Sequence, residues 1–268
     1  ALMKIKLILQ CLGLFGVIFI TSCSAPMSSG ESNSQVMGKP AAVTREVDSI
    51  EKRDRPGLGT GWGDSVNSAI SYTKFEREGG KPRSLNVIYY NDKEGIDAMS
   101  KTRQYNGGGM QTGAGGLVEW GVKSGWGYAK NLNAGGKRFI IGKNKAQYSI
   151  VVRNVCHSSL ELVMSVDGLD VIDGKSASTK KRGYIVGPGK TLSVKGFRTS
   201  EAAVASFKFS SVNSSYSNLR HGTTRNVGVI GMAVFTERGV DPWRWNSGEL
   251  NTRKSAQAFA KNPMLKAQ

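Results

Sequence analysis

The chain has 268 residues, and its 37 Lys and Arg against 20 Asp and Glu give a formal net charge of +17. A field of that sign attracts anionic partners, and the length is ample for one or two domains held together by a hydrophobic core. The sequence has no helix-turn-helix, zinc-finger or aromatic RNA-binding motif, so we do not expect nucleic acid to be the partner of this charge.

The N-terminal segment has the pattern of an exported bacterial protein. Lys4 and Lys6 form a basic n-region, mostly apolar residues occupy 7–20, and small residues precede Cys23. A membrane-spanning helix needs about 20 apolar residues, and this run is shorter. The pattern therefore predicts a signal peptide over residues 1–22.

The end of this segment resembles the lipobox of bacterial lipoproteins. The residues that carry the resemblance are Ile20, Thr21, Ser22 and Cys23. In that family the cysteine carries a thioether-linked diacylglycerol and becomes the acylated N-terminus. The resemblance implies lipidation of Cys23 and stable membrane attachment through two or three acyl chains. Ser24 is similar to the residue that follows the cysteine in cargo sorted to the outer membrane of diderm bacteria. The expected location is the cell envelope, and the outer membrane if the organism is diderm.

Residues 23–56 are predicted to form a flexible tether. The stretch after the lipidation site is rich in Ser, Pro and Gly, and a dense run of charged residues precedes Pro56. Removing the signal with Lys4 and Lys6 leaves a net charge of +15 on the mature chain. Such a charge is expected to attract anionic lipid, lipopolysaccharide or acidic polysaccharide in an envelope.

Cysteine use leaves no disulfide in the mature monomer. Cys11 lies in the signal and Cys23 is the lipid site, so Cys156 stands alone. Neighbouring residues of a strand point to opposite faces, which separates Cys156 from His157 and argues against a catalytic pair. We therefore expect Cys156 to be a small buried thiol.

Residues 57–146 form a glycine-rich region with one predicted strand and one predicted short helix. The strand covers 84–90, and Asn91 and Asp92 can cap a helix from Glu94 to Lys101. The glycines of 57–63 lack the preceding strand and following helix that a dinucleotide site requires, and no cofactor is predicted.

Residues 147–240 are predicted to form an antiparallel β domain. Side chains alternate over 148–153 and over 160–166, and Asp167 and Gly168 then predict a two-residue type I′ turn. Further strands are predicted at 183–186, 191–197, 204–209 and 227–235, and a short helix at 211–220 that Gly222 ends. The fold class is mainly β, an antiparallel sandwich or barrel with few short helices, followed by a basic tail over 241–268 that can be helical.

Tryptophan beside glycine gives the first group of candidate binding residues. Exposed indole rings can stack on sugars, so Trp120 and Trp126 with Tyr128 are candidates for a glycan platform, as are Trp243 and Trp245 on one strand face. The alternative is burial, since most tryptophan is buried and glycine beside it often marks close packing.

Acidic residues at every third position give a second group. Asp167, Asp170 and Asp173 do not have the alternate spacing or the distal Glu of a calcium loop, so neither a metal site nor a catalytic set is predicted. Asp170 is a charge inside an apolar stretch, and we expect a partner such as Arg182 or Arg198 across the sheet.

The second half of the chain also resembles a family of uncharacterised exported bacterial proteins. The segments that carry this resemblance are 165–174, 181–184, 196–200 and 225–231, all within 147–240, together with the segment 55–63 outside that range. The resemblance implies that 147–240 form one unit, and it brings no known activity.

These observations favour a non-enzymatic, lipid-anchored envelope protein whose basic β domain binds an anionic envelope component or a protein partner. The second hypothesis is a glycan-binding module that uses the Trp-Gly segments. The third is a hydrolase of envelope polymers, which requires two of the acids or histidines His157 and His221 to converge in a pocket.

Overall fold

The computed structural model describes residues 55–101, 105–243 and 247–259. The predicted lipidation site Cys23, most of the predicted tether and Trp245 lie outside the described residues. The fold is mainly β with few short helices, as the alternation of side chains predicts. Among the described residues, no helix has both the length and the apolar character needed to cross a bilayer.

The strands in chain order are β1 (Leu58–Asn67), β2 (Ser84–Asn91), β3 (Asn106–Gly108), β4 (Gln111–Gly113), β5 (Val118–Ser124), β6 (Gly127–Tyr128), β7 (Lys130–Ala134), β8 (Lys137–Ile141), β9 (Gln147–Asn154), β10 (Leu160–Val166), β11 (Leu169–Asp170), β12 (Tyr184–Val186), β13 (Thr191–Val194), β14 (Gly196–Arg198), β15 (Ala203–Ser211) and β16 (Val229–Thr236). The helices are α1 (Lys93–Ser100), α2 (Tyr216–His221) and α3 (Ser247–Lys254), with a 3₁₀ turn at Ala114–Gly116.

The described strands form two sheets. Sheet 1 has the order β1-β15-β9-β5-β4, with β13 beside β9, β14 beside β15 and β6 beside β5. Sheet 2 has the order β11-β10-β16-β2-β8-β7-β3, with β12 beside β10. Strand pairs are antiparallel except β2 and β8, which run parallel. Both sheets take strands from 57–146 and from 147–240, so these two regions of the sequence are interleaved in one compact unit.

The core lies between the two sheets, which pack as a sandwich. Alternate residues of each strand face inward, so Ile88 and Tyr90 of sheet 2 meet side chains of sheet 1. The Tyr90 ring lies 5.4 Å from Phe209 and 6.3 Å from Tyr148 between ring centroids. Because these rings come from different sheets, their contact holds the two layers together.

Several local predictions are confirmed in detail. Asp167 and Gly168 both have positive φ, 53° and 78°, as a type I′ turn requires. Asp92 caps α1 by accepting a hydrogen bond from the Gly95 amide. Gly222 ends α2 in the left-handed conformation, although this helix begins at Tyr216 and not at 211.

Other predictions need correction. The return strand after the hairpin is only two residues, because the chain turns again where the Gly174 amide donates to the Asp170 carbonyl. The strand predicted at 191–197 is two strands, β13 and β14, which pair with different neighbours on either side of Lys195. The glycine-rich segment at 57–63 lies in β1, the edge of sheet 1, where we predicted no strand.

On the outer face of sheet 2, a buried glutamate is paired with an arginine that also packs on an aromatic ring. Glu161 is fully buried there, and its carboxylate accepts hydrogen bonds from Arg77 at 2.7 and 3.1 Å and from the Gly183 amide at 2.7 Å. The Arg77 guanidinium also stacks 3.7 Å from the centre of the Phe235 ring. This buried charge is thus paired and hydrogen-bonded, as a stable fold requires.

Candidate functional site

A groove of about 710 Å³ opens beside sheet 1, and we call it the basic groove. Its lining residues are Val66, Lys123, Gly125, Ala146, Gln147, Tyr148, Ser149, Ser193, Lys195 and Ser206. Lys123, Ser149 and Ser193 alternate with the buried residues Val122, Ile150 and Val194 of the same strands. Because alternate side chains of a strand point to opposite faces, the three polar residues lie on the face away from the core.

The shape of the groove follows from a break in strand pairing. β9 pairs with β15 at Tyr148 and Gln147, and then with β13 from Ile150 onward. Beyond Tyr148, β9 and β15 diverge, and β15 pairs with β14. Lys195 lies between β13, which pairs with β9, and β14, which pairs with β15. The groove therefore forms where one strand changes its neighbour.

Close backbone contacts shape the strands around this break. A Cβ on Gly196 would lie 1.9 Å from the Ala205 carbonyl oxygen, a distance at which only glycine fits. On the other side of β15, the register of β1 shifts between Trp62 and Ser65, which is a β-bulge. A Cβ on Gly63, inside this bulge, would lie 2.3 Å from the Ser206 Oγ.

Ser206 has an unusual position at this site. Its side chain is buried, and its Oγ has no hydrogen-bond partner among the described residues. Buried hydroxyls are nearly always paired, because leaving one unpaired costs about 1–3 kcal/mol. The groove is thus lined by a residue whose hydrogen-bonding capacity the fold itself does not use.

The charge of the groove is positive. Within the described part of the chain, neither Lys123 nor Lys195 forms an ion pair. Asp64 is the carboxylate at the rim, where its Oδ2 accepts a hydrogen bond from Gln147 Nε2 at 3.0 Å. Two lysines and no carboxylate are thus among the lining residues of the groove, which suits an anionic ligand.

A hairpin with an exposed tryptophan borders the groove. β5 and β6 pair at Lys123 with Tyr128 and at Ser124 with Gly127, which leaves Gly125 and Trp126 as the turn. Gly125 has φ of +60° and also lines the groove. Trp126 is completely exposed, with a relative accessibility of 104%. The tip of the hairpin thus presents an indole ring to solvent next to the lysines.

The structure separates the three aromatic residues proposed as a glycan platform. Trp120 is 2% exposed, since it faces the core from the middle of β5. Tyr128 is half-buried, and its ring packs over Gly121. Trp126 alone of the three is fully exposed. The three rings therefore do not form one exposed surface.

The second aromatic pair can be placed only in part. Trp243 is 37% exposed, and its ring covers Gly116, where a Cβ would lie 3.2 Å from the Trp243 Cη2. Trp245 lies outside the described residues. The position of Trp243 shows the close packing beside glycine that was the alternative to an exposed platform.

Asp170 does not form the expected ion pair with Arg182 or Arg198, and the prediction was wrong. The Asp170 carboxylate accepts hydrogen bonds from the backbone amides of Ile172 and Asp173, at 2.8 and 3.3 Å. Arg182 donates to the Phe75 carbonyl, and Arg198 donates to the Ser68 carbonyl, each at 2.7 Å. The early turn after β11 brings amide groups to Asp170, so the acid stabilises a turn and the arginines fasten loops.

The buried thiol was expected and is confirmed. Cys156 is 4% exposed, and its Sγ lies 2.9 Å from the Asn154 Oδ1. His157 is exposed, and the His221 Nε2 lies 3.0 Å from the Gly174 carbonyl oxygen. Neither histidine lines the basic groove.

A buried polar network around Asp167 was not foreseen from the sequence. Its carboxylate accepts hydrogen bonds from the Thr60 amide at 2.8 Å, the Gly228 amide at 2.9 Å and the Tyr90 hydroxyl at 2.5 Å. The Thr60 hydroxyl oxygen lies 2.6 Å from the Tyr148 hydroxyl oxygen. These groups come from both sheets, so the network links the two layers through the core.

Burial sets the ionisation of this network. It raises the pKa of Asp167 to about 6, against the opposing effect of the hydrogen bonds that the carboxylate accepts. Burial also raises the pKa of the Tyr90 and Tyr148 hydroxyls well above their usual range. Asp167 is 2% exposed and is not part of the groove, so its role is in the fold.

Among the residues that the structure describes, no three His, Cys, Asp or Glu side chains are grouped to hold a metal ion. Comparisons with protein-family models, with curated proteins and with solved structures find no match to this chain.

Proposed function

We propose that this chain is a non-enzymatic, lipid-anchored protein of the cell envelope, and that its basic groove binds an anionic envelope component. The observation that carries the proposal is the pair of unpaired lysines, Lys123 and Lys195, in a groove on the solvent face of sheet 1. The candidate ligands are phospholipid head groups, lipopolysaccharide phosphates and acidic polysaccharide, which share a negative charge.

The location in this proposal comes from the N-terminal sequence. The basic n-region, the apolar run and the small residues before Cys23 predict export followed by acylation. A tether of some thirty residues then lets the sandwich reach away from the bilayer or fold back onto it. In the envelope, a positively charged surface meets phosphate and carboxylate groups at high density.

The composition of the groove favours binding over catalysis. Its ionisable lining residues are two lysines and Tyr148, whose hydroxyl is buried and has a raised pKa. General acid–base catalysis most often uses His, Asp or Glu, and none of these residue types is among the lining residues of the groove. Hydroxyls and ammonium groups, by contrast, are good hydrogen-bond donors to phosphate and carboxylate oxygens.

The test is site-specific photocrosslinking in intact envelopes. A photoreactive amino acid at the exposed groove residue Ser193 is compared with the same amino acid at Lys81, which is exposed beside sheet 2. We expect adducts with an anionic envelope component from position 193. The yield should fall about 25-fold when Lys123 and Lys195 are both replaced by alanine, because each lysine contributes about fivefold to the attraction of an anionic ligand.

The matched control removes two exposed lysines elsewhere, Lys81 and Lys180, with the photoreactive residue kept at 193. This variant has the same net charge as the groove variant, so it should retain the adducts. Equal losses in both variants, or equal labelling from 193 and 81 in the parent protein, would show that the groove has no special role.

A further inference from the structure

We propose that the anionic partner is a phospholipid bilayer, and that Trp126 enters its interface while the basic groove takes a lipid phosphate group. This inference rests on the proposed function, since it names the partner of the same groove. It is carried by the geometry of the β5–β6 hairpin, which joins the groove to a fully exposed indole.

The first observation is the placement of Trp126. A completely exposed tryptophan is rare on a folded protein, and Trp126 is the most exposed large hydrophobic side chain of the described residues. Its neighbours Gly125 and Gly127 have no side chains that could cover the ring, and apart from their adjacent residues no atom lies within 4 Å of a Cβ built on either glycine. The Trp126 ring thus projects from the tip of the hairpin into solvent.

The second observation is that positive charge surrounds the same end of sheet 1. The Ser124 hydroxyl donates to the Gln147 carbonyl at 3.0 Å, which places the hairpin beside the loop before β9. That loop carries Lys143 and Lys145, both exposed, and the groove adds Lys123 and Lys195. An exposed indole with lysines on the neighbouring segments fits the interface of an anionic bilayer, where tryptophan prefers the head-group level.

The third observation separates a bilayer from a glycan. A sugar-binding cleft presents ring faces together with polar groups that converge on one ligand. Here Trp120 is buried and Tyr128 is half-buried, so the tip carries a single indole that no second ring accompanies among the three proposed as a platform. A single projecting ring is suited to insertion.

The tether makes a weak contact effective. One indole and a few lysines give low affinity for a membrane, since each lysine near an anionic surface raises binding by about fivefold. A domain attached to the same bilayer has a high effective concentration at its surface, so weak contacts are enough for docking. The acyl anchor and the hairpin would then act as two points of attachment.

The experiment reconstitutes the full lipid-anchored protein into vesicles whose lipids carry brominated acyl chains, which quench tryptophan fluorescence on contact. Vesicles of phosphatidylcholine alone are compared with vesicles that also contain phosphatidylglycerol. We expect quenching only in the anionic vesicles. Replacement W126F should abolish it, and W126F should not change the free energy of unfolding, because the ring makes no contact in the folded protein.

The charge requirement is tested in the same vesicles. The double variant K123A/K195A should reduce binding, and with it quenching, about 25-fold, and the control K81A/K180A should retain it. Equal quenching of the parent protein and W126F in anionic vesicles would overturn the insertion of Trp126, whatever the photocrosslinking shows. Groove adducts with polysaccharide and none with lipid would overturn the choice of partner, while the proposed function would stand.

Discussion

Asp167 shows how one residue can satisfy a local rule and also serve a distant need. The Asp-Gly pair predicts the type I′ turn from sequence alone, because both residues tolerate positive φ. The carboxylate also accepts hydrogen bonds from two backbone amides and from the Tyr90 hydroxyl in the core between the sheets. The local sequence determines the turn that contains Asp167. Its burial depends on hydrogen-bond partners from β1, β2 and the segment before β16, which are distant in the sequence.

The ionisation of Asp167 gives a prediction for the variant D167N. The folded protein holds the proton more tightly than the unfolded chain, since the pKa is about 6 against an ordinary value of 3.8. The stability due to this group is therefore present in full below pH 3.8 and is lost as the pH rises through 6. We expect the parent protein to lose about 3 kcal/mol relative to D167N between pH 3.5 and pH 7.

The measurement is urea unfolding of both proteins across this pH range, and D173N serves as the control. Burial raises the pKa of Asp173, but hydrogen bonds from Lys181 and Lys175 outweigh that effect and lower it. The difference between the parent and D173N should therefore change with pH in the opposite direction. If the difference in the free energy of unfolding between the parent and D167N did not change with pH, the raised pKa of buried Asp167 would be contradicted.

At the scale of elements, the break between β13 and β14 is the decisive feature. A single strand over 191–197 matches the alternation of side chains, yet Lys195 interrupts it, and its carbonyl oxygen accepts a hydrogen bond from the Phe207 amide. Periodicity reports which face a residue takes, and it does not report which strand lies alongside. The change of partner that opens the groove is therefore a property of the sheet and not of the local sequence.

The close approach at Gly196 predicts the effect of G196A. The added Cβ would overlap the Ala205 carbonyl oxygen, so β14 could no longer pair with β15 in its present position. We expect a loss of roughly 2–4 kcal/mol in the free energy of unfolding, measured with urea. In the matched variant G79A nothing lies within 4 Å of the new Cβ, and the change should stay within about 0.5 kcal/mol.

For the whole molecule, the apolar side chains that stabilise the fold and the charged side chains that attract a partner lie in different places. The core between the sheets is apolar and aromatic, so its stability depends little on salt. The excess of positive charge lies on exposed lysines, including those near the groove and the hairpin tip. Salt is thus expected to weaken the contact with an anionic partner and to leave the sandwich folded.

This separation predicts the salt response of membrane docking. Raising the salt from 0.1 M to 1 M shortens the Debye length from about 10 Å to about 3 Å. The quenching of Trp126 in anionic vesicles should then fall several-fold, while the amount of anchored protein in the vesicles stays constant. Docking that persists unchanged at 1 M salt would show that apolar insertion alone drives it.

The sequence alone determines the features that depend on neighbouring residues. The alternation in 148–153 and 160–166, the Asp-Gly turn and the cap at Asp92 all arise from local backbone preferences and side-chain periodicity. The mainly β class follows from the same signals. The N-terminal pattern likewise predicts export and lipidation at Cys23, because these depend on a short linear motif.

Only the tertiary structure decided which of these residues meet. Strands pair across long stretches of sequence in both sheets, as Leu58 with Ser211 in sheet 1 and Ile88 with Ile230 in sheet 2. Those pairings bury Trp120, expose Trp126 and bring Lys123 and Lys195 to one groove. No local pattern encodes such long-range contacts, because a residue's burial depends on which distant strand covers it and not on its own neighbours in the chain.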